Sequence, residues 1–542
     1  MLLYNTLTSL NKKCILNSME AKIELLDEVN CKIHGLSTAD RRKFYDKFSY
    51  MLPHAYHVPA FKMGRWDGKK NYFAIGGKTF SSLLEDIVPD LIESGYDVTL
   101  SDSRINYQVD LTTITADHFA HKVWPEDHPV AGQPVMLRDY QVEIINNFLV
   151  NQKSVQEVAT GAGKTLVTAA LSQLVERCMT DEQLVMHKLV TGNDGGARTI
   201  VIVPNKGLVT QTEEDYVNLG LDVGVYYGDR KEYNCTHTIC TWQSLEIIHK
   251  NFREGKSEMS LEDFSKGVMA VIVDEAHGAK ADVLMKLLTG PFRNVPIRWG
   301  LTGTIPPDEH AAIGLTVSLG PVVGDLAAKT LQDAGVLSNC HIDVIQMQDV
   351  VHYDNYQSEL SYLTTDSDRL DYMAAMIMAI ASEGNTLVLV DRVKAGKGLL
   401  ERLPEDRTVF VSGEMKNEDR RGHYKEISKE DNKIIVATYG VASVGINVPR
   451  IFNMVLVEPG KSFIRVIQSI GRGLRKAEDK DFVNIYDFTS SAKFSKRHLT
   501  ERKKFYKKAQ YAFKITKTNW REDMRLQKDL FERFDNRKVK PK

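Results

Sequence analysis

The sequence predicts an α/β protein: two parallel-sheet lobes in tandem, a small α+β N-terminal domain ahead of them and a basic helical C-terminal tail. Three observations carry that expectation. The 542 residues are too many for one ordinary core, since domains typically hold about 100 to 200 residues. Two series of short apolar runs recur with helix-length segments between them, the pattern of strands buried on both faces. The charge is also uneven, because residues 493–542 hold 18 lysines and arginines against six acids in a chain whose formal net charge is -1.

Taken in order, residues 1–18 are mildly apolar but lack a basic start and are broken by Asn5, Thr6, Thr8 and Ser9, so they read as a loosely ordered extension and not a signal peptide. Residues 19–131 alternate short strands with helical stretches at 38–49 and 80–95, forming the small N-terminal domain, and residues 126–134, rich in Pro and Gly, read as a linker. The first lobe spans 132–325, with strands at 155–158, 199–203, 238–240, 270–273 and 299–301. The second spans 326–490, with strands at 386–390, 408–411, 433–437, 454–457 and 482–486. Residues 491–542 form the tail.

The apolar fraction of 43% and charged fraction of 26% are those of an ordinary globular chain. Six cysteines without a C-x-x-C pair point to a reduced, cytoplasmic protein without structural zinc. No window approaches the roughly 18 uninterrupted apolar residues of a membrane span, so no membrane partner is expected.

The first chemical signal follows the strand at 155–158. Thr160-Gly161-Ala162-Gly163-Lys164-Thr165 opens a helix, and its glycines let backbone N–H groups converge on a phosphate at the positive end of that helix. Lys164 would reach the β and γ phosphates of ATP, and the Thr165 hydroxyl would ligate Mg²⁺. The motif's usual first glycine is Val158 here. A second buried strand, Val271-Ile272-Val273, delivers Asp274-Glu275-Ala276-His277 at its C-terminal end, where ligands of such sheets bind. Asp274 would hold the magnesium, and Glu275 would orient or deprotonate the attacking water. In the second lobe, Gln468-Ser469-Ile470-Gly471-Arg472-Gly473-Leu474-Arg475 offers Arg472 and Arg475, whose guanidinium groups suit the charge of a transferring phosphoryl.

The order of these motifs resembles superfamily 2 helicases, over about residues 137–487. The resemblance implies that both lobes are RecA-like, with ATP between them, and assigns Gln141 and Arg138 of Leu137-Arg138-Asp139-Tyr140-Gln141 to the adenine. It implies strand contacts from Pro204, Asn205 and Lys206, from Thr241, Trp242 and Gln243, and from Arg392, Thr438 and Tyr439. Coupling of hydrolysis to movement would fall to His277, Thr302, Gly303 and Thr304, the last replacing a more frequent Ala. Gly445 and Asn447 would contact ATP, and Gln468 would act with Arg472 and Arg475 in catalysis. Within the family, Gly64-Arg65-Trp66-Asp67-Gly68 is similar to an element of a phage recombination helicase. That implies DNA as the partner, branched or forked, alongside single-strand-binding or recombination proteins, in the host cytoplasm if phage-encoded.

Two segments stay open on their residues alone. Arg65, Trp66 and Lys69 can stack on bases and neutralise phosphates, or Trp66 can fill a hairpin's small core beside an Asp67-Gly68 turn; both can hold together. The tail's basic residues, interleaved with Phe494, Phe505, Tyr506, Tyr511 and Phe513, can line a duplex or pack their rings on the second lobe. The expected activity is that of an ATP- and Mg²⁺-dependent DNA helicase or branch-migrating translocase; an RNA helicase and a non-turnover ATP-dependent DNA clamp are the alternatives.

Overall fold

The computed structural model describes residues 19–52, 55–104, 109–126, 128, 130–191, 196–233, 235–276, 281–306, 308–413, 415, 429–441, 450–460, 470–471, 474 and 479–526. The chain forms two compact units, Met1–Val158 with Gly163–Asp325 and Ala159–Ala162 with Leu326–Lys542.

In the first unit, a four-stranded sheet places Met19–Leu25 between antiparallel Asn30–His34 and parallel Tyr96–Asp102, with Lys78–Phe80 at the edge. Alternation aims Ala21, Ile23 and Leu25 inward and leaves Glu20 and Lys22 exposed. The helix Leu84–Glu93 meets them with Leu84, Ile87, Val88 and Leu91, the spacing of one helical face. Met285 and Val317, far along the chain, belong to the same core. The N-terminal segment is therefore packed into the first lobe, not strung ahead of it. Charged contacts follow the same seam: Lys153 Nζ lies 2.5 Å and Arg104 Nη1 3.0 Å from Glu28 Oε2.

The large sheet of this unit has eight strands in the order Arg230–Lys231, Val223–Tyr227, His237–Thr241, Arg198–Val203, Val268–Asp274, Ile297–Thr302, Lys153–Val158, Val322–Leu326. The inner strands pair in parallel. All six residues of Arg198–Val203 are buried, as both faces are covered. Arg298 is buried in the sheet and satisfies its guanidinium on the carbonyls of Leu288, Phe292 and Ser318; desolvation pushes it down to about 10.

The second unit holds a seven-stranded sheet, parallel throughout, ordered Thr408–Val411, Ile434–Thr438, Thr386–Val390, Asn453–Val457, Phe482–Ser490, Asn339–Met347, Ala512–Thr518. The helix Ser367–Ala381 covers one face through Leu370, Met373, Ala374, Ile377 and Ile380. The tail is helical over Lys493–Lys508, then turns at Gln510, whose φ of 56° ends the helix. The strand Ala512–Thr518 follows and extends the sheet beside Asn339–Met347, so a stretch read from sequence as continuing helix is a parallel edge strand. Lys514 and Lys517 are exposed on it, the usual protection of a free edge. Among the described residues no helix is long and apolar enough to cross a membrane.

Candidate active site

Three neighbouring strands build the site. Lys153–Val158, Ile297–Thr302 and Val268–Asp274 lie side by side in parallel, with Glu157 opposite Thr302 and Leu301 opposite Asp274. Their C-terminal ends therefore release the Gly163-Lys164 loop, the Thr302-Gly303-Thr304 segment and Asp274-Glu275 into one place.

The loop enters the helix Lys164–Glu176 through Gly163, which is left-handed at φ 80°, and no side chain caps that helix. Its first N–H groups and partial positive charge thus face the loop, as a phosphate requires. Gly161 also has positive φ, at 92°. A Cβ at Gly163 would lie 2.5 Å from Gln141 Nε2, so the glycine is needed for space as well as conformation. Gln141 is buried, and its Oε1 accepts from the Arg138 backbone N–H at 2.9 Å, while the Arg138 side chain is exposed. The amide assigned to adenine is thus anchored at the start of its own helix and stands against the loop.

Lys164 Nζ lies 3.0 Å from Glu275 Oε1 and donates to the Val158 carbonyl at 3.4 Å. Val158 stands where a glycine is usual, and it meets Lys164 only through its main-chain oxygen, its side chain being buried at the strand's end. Glu275 has φ 51°, a strained conformation for a residue with a Cβ and the kind found at functional sites. Its backbone N–H donates to Asp274 Oδ1 at 2.9 Å, and its Oε2 accepts from the Gly303 N–H at 3.4 Å. Thr302 and Thr304 are buried and tied together, Thr302 Oγ1 donating to the Thr304 carbonyl at 2.8 Å. Thr165, half-buried in the first helical turn, and Asp274, half-buried at its strand's end, offer hard oxygen donors of the kind magnesium takes.

Residues 134–307 match the family described as Type III restriction enzyme, res subunit, and residues 368–477 match the Helicase conserved C-terminal domain. The chain is a superfamily 2 ATP-dependent helicase. The helicase is 24% identical over 480 residues to the ATP-dependent DNA helicase uvsW of Enterobacteria phage T4, covering 85% of this chain and 89% of that protein. It is 22% identical over 372 residues to putative helicase 22 of Sulfolobus islandicus filamentous virus, covering 64% and 62%. Among solved structures, a fragment of a putative HsdR subunit of a type I restriction enzyme from Vibrio vulnificus YJ016 shares the fold, with TM-score 0.51 at 18% identity over 71% of this chain and 69% of that one.

The candidate strand contacts of the helicase's first unit gather near the same site. Pro204 and Trp242 line one cavity with Asp274 and Glu275, and Gln243 Nε2 donates to the Pro204 carbonyl at 3.3 Å. Asn205 and Thr241 cap the helices Lys206–Asn218 and Trp242–Arg253, accepting from the Leu208 and Ser244 N–H groups. The polar residues that sequence assigns to nucleic acid therefore also start helices, and Lys206 and Gln243 beside them are exposed.

Farther off in this unit, Lys69–Asn71 pairs antiparallel with Ser49–Met51, so the tight hairpin expected about an Asp67-Gly68 turn does not form: the chain ahead of that dipeptide carries the short helix Pro59–Lys62 and not the paired strand. Trp66 is half-buried, its Nε1 donating to the Lys69 carbonyl at 3.0 Å, and Arg65 and Lys69 are exposed. Lys70 is tied to Asp282 at 2.5 Å.

In the second unit, Arg392 and Thr438 leave the C-terminal ends of two adjacent strands in which Val390 opposes Thr438. Tyr439 is a correction: only 1% exposed, its ring points into the core toward Asp487, Arg502 and Tyr506, where no nucleic acid reaches. Motif position located its backbone but not the burial of its side chain. His277, Gly445, Asn447, Gln468, Arg472 and Arg475 lie outside the described residues.

Proposed function

We propose that this helicase is an ATP- and Mg²⁺-dependent DNA motor that opens or migrates branched and forked DNA in recombination, repair and replication. The observation that carries the reading is the chain of contacts Lys164–Glu275–Gly303, which joins the phosphate loop to the hydrolytic acid and the acid to the Thr302-Gly303-Thr304 segment. Lys164 neutralises phosphate charge, Glu275 orients the attacking water and takes its proton, and a change in phosphate occupancy is felt at Gly303. Thr165 and Asp274 would hold magnesium, which would supply neutralisation of phosphate charge. Arg472, Arg475 and Gln468 act on the transferring phosphoryl, and Gly445 and Asn447 on the nucleotide. DNA as the track is supported by the resemblance to uvsW, named an ATP-dependent DNA helicase, and by exposed Arg65 and Lys69 beside Trp66. Single-strand-binding or recombination proteins are the partners this setting implies, in the cytoplasm of a host if the protein is phage-encoded.

The test is an ATP-dependent unwinding panel of Holliday junctions, forks, partial duplexes with 3′ or 5′ tails, and RNA duplexes. Junctions and forks should be processed fastest. A preference for RNA duplexes, or no turnover beyond one ATP per molecule, would replace this reading.

A further inference from the structure

The strand Asn453–Val457 ends in a turn, Glu458-Pro459-Gly460, and this turn leads in sequence into the segment bearing Gln468, Arg472 and Arg475. Glu458 is left-handed at φ 42° and 4% exposed, and Gly460 has φ 68°. Such a conformation at a glutamate persists only where its surroundings over-determine it. Here they do: Glu458 Oε1 accepts from Arg369 Nη2 at 2.8 Å, and Oε2 accepts from Ser495 Oγ at 2.7 Å. Arg502, also buried, donates through Nη1 to the Gly460 carbonyl at 2.8 Å while its other two nitrogens grip both oxygens of Asp487 at 2.9 Å. Ser495 and Arg502 stand on one face of the basic helix Lys493–Lys508. That helix is itself fixed at its start by Glu359, whose carboxylate accepts from the Phe494 and Ser495 N–H groups.

We infer that Ser495 and Arg502 are positioning residues for ATP hydrolysis: through Glu458 and the Gly460 carbonyl they fix the turn from which the arginine-bearing segment departs. The inference rests on the proposed role of Arg472 and Arg475 at the phosphoryl group. Burial pushes Glu458 up to about 7 against the pull of Arg369 and Ser495, so its charged form depends on those donors. The face of the helix that sequence offers to DNA is, at these two positions, turned inward and committed to the turn.

The test uses the full chain and four variants. Arg502→Lys keeps a positive charge opposite Asp487 but, with one nitrogen in place of three, gives up the contact with Gly460 and half of the grip on Asp487; Ser495→Ala removes one hydroxyl, Ser495→Thr restores it, and Arg472→Ala is the reference. DNA-stimulated kcat should fall about tenfold to a hundredfold in Arg502→Lys and Ser495→Ala, the effect of a small misplacement. Ser495 Oγ also accepts from the Ser490 N–H at 3.0 Å, so melting should fall as the loss of a buried hydrogen-bonding group requires. Read well below that transition, KM for ATP and DNA affinity should stay near wild type, and Ser495→Thr should recover kcat. Should Arg502→Lys fail to fold, Ser495→Ala against Ser495→Thr decides alone. Wild-type kcat in folded Ser495→Ala, or lost DNA affinity with kcat intact, overturns the inference while Arg472→Ala remains inactive. Wild-type hydrolysis by Arg472→Ala overturns both this inference and the function it rests on.

Discussion

Lys164 and Glu275 face each other with Nζ and Oε1 3.0 Å apart, 9% and 11% of their side chains exposed. A pair so nearly buried is sensitive to loss of one member, because the other is left as an uncompensated charge. The same two groups have different roles once phosphate is bound, so their variants should separate. Glu275→Gln should retain ATP binding and lose turnover by about 10² to 10⁴, the range for a missing general base. Lys164→Ala should lose both. Nucleotide-analogue binding and phosphate release under DNA stimulation measure the two effects; full turnover in Glu275→Gln removes it from the chemistry.

Gly163 is constrained twice, by φ 80° and by Gln141 Nε2 where a Cβ would stand. Gly163→Ala should therefore raise KM for ATP and destabilise the first unit by about 1 to 2 kcal/mol, the penalty of a left-handed residue with a Cβ. A Gln141→Ala background removes the clash but not the strain. It should recover part of the stability and none of the adenine selectivity, as read by melting and by ATP against GTP turnover.

Thr302 holds the Thr304 carbonyl inside the unit, and Gly303 between them touches Glu275. Thr302→Val keeps the shape and removes the hydroxyl, leaving a buried carbonyl short of a partner at about 1 to 3 kcal/mol. Hydrolysis should survive better than unwinding. The ratio of base pairs opened to ATP consumed is the measurement, and an unchanged ratio denies this segment a coupling role.

The parts legible in sequence were those whose signal is local. Continuous apolar runs such as Val271-Ile272-Val273 disclosed the buried strands, and the glycines around Lys164 disclosed the loop. Asn339–Met347 was hidden because His341, Asp343 and Gln346 interrupt its apolar residues, and Ala512–Thr518 because an exposed edge strand carries lysines. Long-range pairing was the deeper obstacle. Nothing near Arg502 in the chain says that it will be buried on Asp487, and a basic run reads as solvated until its partners are known. Likewise Asn205 and Thr241 advertise helix starts and strand contacts equally well, and Tyr439 cannot be assigned a face without the core it fills.

Just ahead of the strand Lys69–Asn71, the half-buried ring of Trp66 is tied through its Nε1 to the Lys69 carbonyl, between exposed Arg65 and Lys69. Replacing Arg65 and Lys69 with Gln should weaken fork binding and reduce the salt slope by about 0.9 for each phosphate that is no longer neutralised. Trp66→Ala should weaken it by about 1 to 3 kcal/mol if the ring stacks on a base. Lys70→Gln is the contrasting control, since its ammonium is engaged by Asp282. It should lower melting of the first unit and leave the salt slope unaltered.

The tail yields opposite outcomes for deletion and for neutralisation. Ending the chain after residue 490 removes the strand Ala512–Thr518 and takes Arg502 and Tyr506 away from Asp487, which is fully buried and bonded to both. An uncompensated carboxylate of that kind costs about 3 to 5 kcal/mol, a large share of the roughly 5 to 15 kcal/mol by which a domain is typically stable. The truncated second unit should therefore lose its cooperative melting transition, and any loss of DNA binding would reflect misfolding. The opposite face of the helix Lys493–Lys508 carries Lys496, Arg497, Lys507 and Lys508 in solvent. Changing those four to Gln should leave melting intact, lower DNA affinity and flatten its salt dependence. A salt slope equal to that of the wild type would assign the whole helix to holding the second unit together.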